Sequence, residues 1–189
     1  HNSDRRQRQM CIRDRRLTSS DNQLVEDLIN EIVPRIKKYV YGYDNDKLEQ
    51  VIADLLIKNN LTVSTAESCT SGLLASRLTD VPGSSQYFKG GSVCYSNELK
   101  INDIGIDKDL IERHGAVSEE VAKSLAKNIA QKNNTDLGIG ITGIAGPDGG
   151  TEKKPVGLVF VGIFYKNNLY IKRYNFCLLY TSDAADDRC

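Results

Sequence analysis

Residues 61–74, LTVSTAESCTSGLL, join two kinds of secondary structure. The first six, 61–66, form a short run that predicts a strand. Leucines at Leu73, Leu74 and Leu78 then follow a helical spacing, which predicts a helix. The small and polar residues between the two runs must therefore form a strand-to-helix turn. Such turns are the connections from which layered α/β domains are built.

This turn can be interpreted in two ways. The first backbone N–H groups of a helix are unpaired and point outward, so the turn can hold an oxyanion beside a reactive side chain. Ser68 lies at the tip and is followed by Cys69 and Thr70. Ser71 and Gly72 then place no bulky side chain in a ligand's way. In the alternative, Ser68 or Thr70 is only an N-cap and the thiol is buried.

A nucleophilic serine needs a base, and the sequence offers few. The two histidines are His1 and His114, and the segment 113–118, RHGAVS, is typical of a loop before a helix, which favours a loop contact for His114. A lysine acts as a base only if desolvation or a nearby cation lowers its pKa towards neutrality. Lys100 follows Tyr95 by five residues near the end of a predicted strand. The alternative for Lys100 is a solvated position on a helix face.

Strands and helices alternate along the rest of the chain. Strands are predicted at 87–96, 136–142, 155–165 and 169–176, and helices at 97–104 and from Ser118 onward. This order predicts an α/β protein with a layered α/β/α domain around a central mixed sheet. The strand 155–165 is apolar on both faces, so we expect it to be central, and it forms a hairpin with the next strand. Alternating glycines in 136–142 indicate that something approaches one face closely.

The chain before the turn predicts two further helices. Residues 24–36 keep a helical spacing, although Pro34 is expected to kink or restart that helix. Asp46 with Glu49 predicts a capping box at the start of the second helix. The tyrosine-rich and Asp/Asn-rich stretch between them is typical of a linker, so we expect a domain boundary near 42–46.

The two ends of the chain differ from the rest. The first sixteen residues carry six arginines, and the last thirteen show neither strand nor helix patterning. Both are interpreted as non-native tails. The predicted organisation is a tail at 1–16, a helical remnant of another domain at 17–45, the α/β domain at 46–176 and a tail at 177–189.

Composition limits the class of protein. A chain of 189 residues that is 40% hydrophobic can bury one sizeable core. Basic and acidic residues number 25 each, so no net positive charge attracts nucleic acid or an anionic membrane. With no apolar run of about 18 residues and no recognisable signal peptide, we expect a cytoplasmic protein. The five cysteines lack the paired spacing of zinc sites, so we expect free thiols, no structural metal and no cofactor.

Five segments, in this order and spacing, resemble the C-terminal domain of the CinA family, the nicotinamide-nucleotide amidohydrolases: TAESCTSG, DVPGSSQYFKGGSVCYSNELK, HGAVSEE, TGIAGPDGG and KPVGLVFVG. The resemblance covers about residues 46–176. It implies that the carboxamide of nicotinamide mononucleotide (NMN) is hydrolysed to nicotinate mononucleotide and ammonia. Residues 17–44 resemble the end of the domain that precedes it in longer members. Those members continue into a further helix after Phe176, so this chain is expected to be truncated at both ends.

The resemblance also implies roles for individual residues. Ser68 is the expected nucleophile, Lys100 the base, and Tyr95 a hydrogen-bonding partner that relays or orients the proton. Substrate-binding residues are expected at Glu67, Thr70, Ser71, Gly72, Asn97, Thr142, Gly143, Ile144, Ala145 and Gly146. The glycine-rich members of this set would hold ribose or phosphate through backbone amides, with a plain long turn as the alternative. Family members usually have two glycines where this chain has Ser71 and Gly72.

Two other functions stay open at this point. A thiol amidase would use Cys69 as its nucleophile, although the sequence offers it no plausible histidine partner. A non-catalytic, competence-associated module would bind a nucleotide without turnover. The expected partner is NMN, with no membrane and no direct nucleic-acid partner, and the chain is expected to form a homo-oligomer.

Overall fold

The computed structural model describes residues 17–43 and 46–176, so both predicted tails lie outside the described residues. Within these ranges the helices are α1 (Asn22–Ile36), α2 (Leu48–Lys58), α3 (Leu73–Thr79), α4 (Asn97–Asn102), α5 (Lys108–His114) and α6 (Glu119–Lys132). The strands are β1 (Val63–Glu67), β2 (Phe88–Val93), β3 (Leu137–Gly143), β4 (Leu158–Tyr165) and β5 (Asn168–Asn175). Two short 3₁₀ turns lie at Lys37–Tyr39 and Ser84–Gln86.

The five strands form one mixed sheet in the order β2-β1-β3-β4-β5. Strand β1 pairs in parallel with β2 and β3, whereas β3 with β4 and β4 with β5 are antiparallel. The predicted mixed sheet is confirmed, and β4 is an internal strand while β3 is the middle one. The β4–β5 hairpin closes over Lys166 and Asn167, whose φ angles of 49° and 63° give the left-handed two-residue turn that suits the twist of paired strands.

Helices cover both faces of the sheet, as predicted. Alternate residues of a strand face opposite sides, and Val63 packs with Ala53 and Leu56 of α2 while Ala66 packs with Leu125 of α6. Helix α6 also explains the glycines of β3. A Cβ added to Gly140 would lie 2.5 Å from the amide nitrogen of Ala126, so only glycine admits the helix backbone this close. The feature expected to approach this face is therefore a helix.

Three expectations for single elements need correction. The capping box at Asp46 is wrong: Lys47 is the N-cap residue of α2 and makes no side-chain cap, while the Asp46 carboxylate accepts from the Tyr43 amide at 2.9 Å. Of the two outcomes expected at Pro34, a restart is excluded, because α1 runs through Pro34 to Ile36 before a 3₁₀ turn, and a kink stays a prediction. The unpredicted helix α5 ends at His114, which is therefore helical rather than part of a loop. No helix in the described ranges is long and apolar enough to cross a membrane.

Candidate active site

The turn after β1 lies at the centre of the carboxyl edge of the parallel strands. The Ser68 amide donates to the Ile141 carbonyl at 3.1 Å, which extends the pairing of β1 with β3 by one residue. The chain then turns tightly, with the Ser71 amide donating to the Ser68 carbonyl at 3.1 Å. Ser71 and Gly72 have φ angles of 50° and 91°, and α3 begins at Leu73. The predicted strand-to-helix turn is therefore present.

Glu67 holds the first turn of α3 in place of an N-cap hydroxyl. Its side chain is 1% exposed, and its two carboxylate oxygens accept from the amides of Leu74 at 3.0 Å and Ala75 at 2.8 Å. A carboxylate at a helix N-terminus is favoured by the unpaired amides and by the helix dipole. This contact is structural, and the substrate-binding role of Glu67 stays a prediction. It also removes Ser68 and Thr70 as N-caps, since Gly72 occupies that position.

Ser68 and Lys100 form the central pair of the site. Lys100 comes from α4, is 2% exposed, and places its Nζ 3.1 Å from the Ser68 Oγ. The same Nζ donates to the main-chain carbonyls of Cys94 and Tyr95, both at 2.9 Å. Ser96 caps α4 through its side chain, which accepts from the Leu99 amide and fixes the helix that carries the lysine.

This geometry lets Lys100 exchange a proton with Ser68. A carbonyl oxygen only accepts hydrogen bonds, so two positions of the Lys100 nitrogen must carry hydrogens directed at Cys94 and Tyr95. The third position faces Ser68 and holds either a third hydrogen or a lone pair. Burial lowers the pKa of Lys100 because the charged ammonium is removed from water. Burial therefore shifts the equilibrium of Lys100 towards the neutral amine, whose lone pair can accept the Ser68 proton.

The two neighbouring thiols are poor candidates for the nucleophile. Burial raises the pKa of the Cys69 thiol, and the same effect raises the pKa of Cys94. A raised pKa leaves less of the reactive thiolate at neutral pH. The Cys69 and Thr70 amides and Lys100 oppose the rise for Cys69, but desolvation is the largest contribution.

The Cys69 and Thr70 amides are the candidate donors for an oxyanion that develops beside Ser68. Within residues 17–43 and 46–176, neither the Cys69 amide nor the Thr70 amide donates to a main-chain carbonyl. Both follow Ser68 directly in the turn, where donors for an oxyanion are needed. The Thr70 hydroxyl is also buried, and its Oγ1 has no hydrogen-bond partner among the described residues.

Tyr95 and Asn97 are exposed residues between the end of β2 and Lys100. The Tyr95 side chain is 69% exposed, and its carbonyl, not its hydroxyl, makes the bond to Lys100. Asn97 is exposed at the first position of α4. Both residues are close to Lys100 in sequence, and Tyr95 contacts Lys100 through its main-chain carbonyl.

The glycine-rich segment follows β3 at the same edge of the sheet. Thr142 is 1% exposed and its hydroxyl donates to the Ala116 carbonyl at 2.8 Å, while its substrate contact stays a prediction. A Cβ added to Gly143 would lie 3.0 Å from the Cys69 Sγ, which places this glycine against the turn. Ile144, Ala145 and Gly146 follow and are half-buried.

Replacing Ser71 by glycine is expected to stabilise the protein. Ser71 is exposed and left-handed, with φ of 50°, a conformation that costs a residue with a Cβ about 1 kcal/mol. We expect Ser71→Gly to raise the free energy of unfolding by about 1 kcal/mol, measured by urea denaturation. Ser71→Ala is the matched control, because alanine keeps the strain. Equal midpoints for the two variants would contradict this explanation.

Within the part of the chain that the structure describes, no group of three or more His, Cys, Asp or Glu side chains is arranged to hold a metal ion. Sequence patterns missed the capping role of Glu67 and the role of Ser96 at α4. The signal for Glu67 was a carboxylate in the last position of a buried strand, immediately before the turn.

Comparisons with known proteins agree with the resemblance seen in the sequence. The family model described as the CinA C-terminal domain matches residues 45–178. A CinA-like protein of Dictyoglomus thermophilum is 47% identical over 150 residues, which cover 79% of this chain and 36% of that protein. This chain thus spans about a third of the length of that relative.

Two solved structures share the fold. The competence/damage inducible protein CihA from Agrobacterium tumefaciens is 35% identical, with a TM-score of 0.67 over 72% of this chain and 83% of that one. A competence-damaged protein (CinA) superfamily protein from Escherichia coli is 32% identical, with a TM-score of 0.68 over 73% and 82%.

Proposed function

Because this chain belongs to the CinA family through its C-terminal domain, we propose that it hydrolyses the carboxamide of nicotinamide mononucleotide to nicotinate mononucleotide and ammonia. The observation that supports this most is the buried pair in which the Lys100 Nζ lies 3.1 Å from the Ser68 Oγ. A serine beside a lysine of lowered pKa is the arrangement that amide hydrolysis needs without a histidine.

The proposed reaction begins when neutral Lys100 accepts the proton of the Ser68 hydroxyl. The Oγ attacks the carboxamide carbon, which the pyridinium ring makes electron-poor, and the resulting oxyanion is held by the Cys69 and Thr70 amides. Collapse breaks the C–N bond, and the proton on Lys100 passes to the departing nitrogen, which leaves as ammonia. The products of this half are an ester on Ser68 and a neutral Lys100.

Water completes the cycle in the reverse sense. Lys100 accepts a proton from water, the hydroxide oxygen attacks the ester carbon, and Ser68 leaves with the proton returned by Lys100. Tyr95 takes part through its carbonyl, which holds Lys100 in place. A proton relay through its hydroxyl stays a prediction. The glycine-rich residues after β3 are proposed to meet ribose or phosphate through their amides.

An ammonia assay with NMN tests this proposal. Release of one ammonia per nicotinate mononucleotide formed is the expected result. Added hydroxylamine should divert the Ser68 ester to the hydroxamate, which reports the covalent intermediate directly. Binding of NMN with no ammonia and no hydroxamate would replace the proposal with the non-catalytic binding module.

A further inference from the structure

The α5–α6 connection, taken from the last residue of α5 to the residue before the Ser118 cap of α6 (114–117), has main-chain carbonyls that side chains bond. Its four carbonyls all accept hydrogen bonds from side chains: His114 and Val117 from Lys154, Gly115 from Ser118, and Ala116 from Thr142. Thr142 belongs to β3, and Lys154 belongs to the β3–β4 loop, residues 144–157. The α5–α6 connection and this loop are therefore one hydrogen-bonded unit.

Lys154 makes two of these four bonds. Its Nζ donates to the His114 carbonyl at 2.8 Å and to the Val117 carbonyl at 2.7 Å. His114 is the last residue of α5, where carbonyls lack helical partners and a cation is favoured by the helix dipole. Gly115 provides the space for this side chain, since a Cβ at Gly115 would lie 2.9 Å from the Lys154 Nζ. The Lys154 side chain is thus held by two main-chain carbonyls rather than extended into solvent.

The β3–β4 loop is fixed at its two ends and exposed between them. At its start, the Ile144 amide donates to the Leu158 carbonyl at 2.9 Å, and the Gly157 amide donates to the Ile144 carbonyl at 2.8 Å. Residues 147–153 are all exposed. Lys154 follows this arc directly, so its two bonds attach the end of the arc to the α5–α6 connection.

We propose that Lys154 is a positioning residue. It holds the β3–β4 loop where the amides of the loop contact the substrate. The inference rests on the proposed function, because the loop follows Gly143, the last residue of β3, which lies against the turn that carries Ser68. Lys154 touches neither Ser68 nor Lys100, and it acts only through the loop.

Lys154→Met tests this role, because it keeps the length of the side chain and removes the donors. We expect KM for NMN to rise about tenfold or more with kcat changed less than about threefold, because a displaced loop weakens binding and leaves the Ser68–Lys100 pair intact. Lys154→Arg should recover most of the affinity. Lys153→Met is the matched control on the exposed arc and should behave as the parent.

Hydrogen exchange of the amides in 144–153 is measured on the same variants. Exchange should be faster in Lys154→Met than in Lys153→Met. Parent-like KM, or a lower thermal midpoint with unchanged KM, would overturn the positioning role. If the parent itself releases no ammonia, the proposed function fails, and equal exchange in the two variants would then reject the role of Lys154 independently.

Discussion

Ser68→Ala is expected to abolish ammonia release from NMN, lowering kcat by about ten-thousandfold or more. The Oγ is the proposed attacking atom, and alanine offers no substitute for it. Nucleotide binding, measured by calorimetry, should stay within about threefold of the parent, because a hydroxyl that reacts contributes little to ground-state affinity. Hydroxamate formation with hydroxylamine should disappear together with ammonia release.

Cys69→Ala is the matched control, one residue further along the same turn. It should keep most of the activity, because burial raises the pKa of this thiol and the Cys69 amide, the proposed oxyanion donor, is retained. The opposite pattern, an active Ser68→Ala and an inactive Cys69→Ala, would transfer the nucleophile to the thiol and reject the serine mechanism.

Lys100→Met should lower kcat by about 10²- to 10⁴-fold, the usual contribution of a general base. Lys100→Arg distinguishes a base from a fixed charge, since arginine keeps the donors for the Cys94 and Tyr95 carbonyls but does not lose its proton in proteins. We expect Lys100→Arg to be as inactive as Lys100→Met. Lys89→Met, at an exposed lysine of β2, is the control. An active Lys100→Arg would exclude the base role.

The pH profile of the parent provides an independent measurement. Only neutral Lys100 accepts the Ser68 proton, so kcat/KM should rise with pH and be lost as pH falls through the pKa of the folded protein. Burial lowers this pKa, so the rise should come below the usual lysine value of about 10.4. A bound pyridinium cation lowers it further, which should move the rise in kcat to lower pH still. A rise at the ordinary lysine value would contradict the buried base.

Local patterns predicted the elements that depend on local residues. The strand and turn at 61–72, helix α6 with its Ser118 cap, and the β4–β5 hairpin all follow from spacing and turn chemistry, and all are present. The capping box at Asp46 failed because the helix begins one residue later than its pattern requires. Helix α5 is too short to show a clear period.

The site was predicted through the resemblance, not through spacing. Ser68 and Lys100 are separated by 32 residues, and only the pairing of β1 with β2 brings them together. No local pattern predicts that Lys154 binds the end of a helix 40 residues before it in the chain. Such contacts depend on the assembled tertiary structure, which single-sequence patterns do not contain.

The parallel arrangement of β1, β2 and β3 also bears on how the chain folds. The turn at Ser68, the carbonyls after β2 and the loop after β3 come from three distant parts of the chain, and they meet only at the common edge of those strands. Long-range parallel pairing forms late, because the entropy of closing large loops is lost before the contacts are made. Recovery of enzyme activity during refolding should therefore follow, and never precede, recovery of the β-sheet signal in circular dichroism.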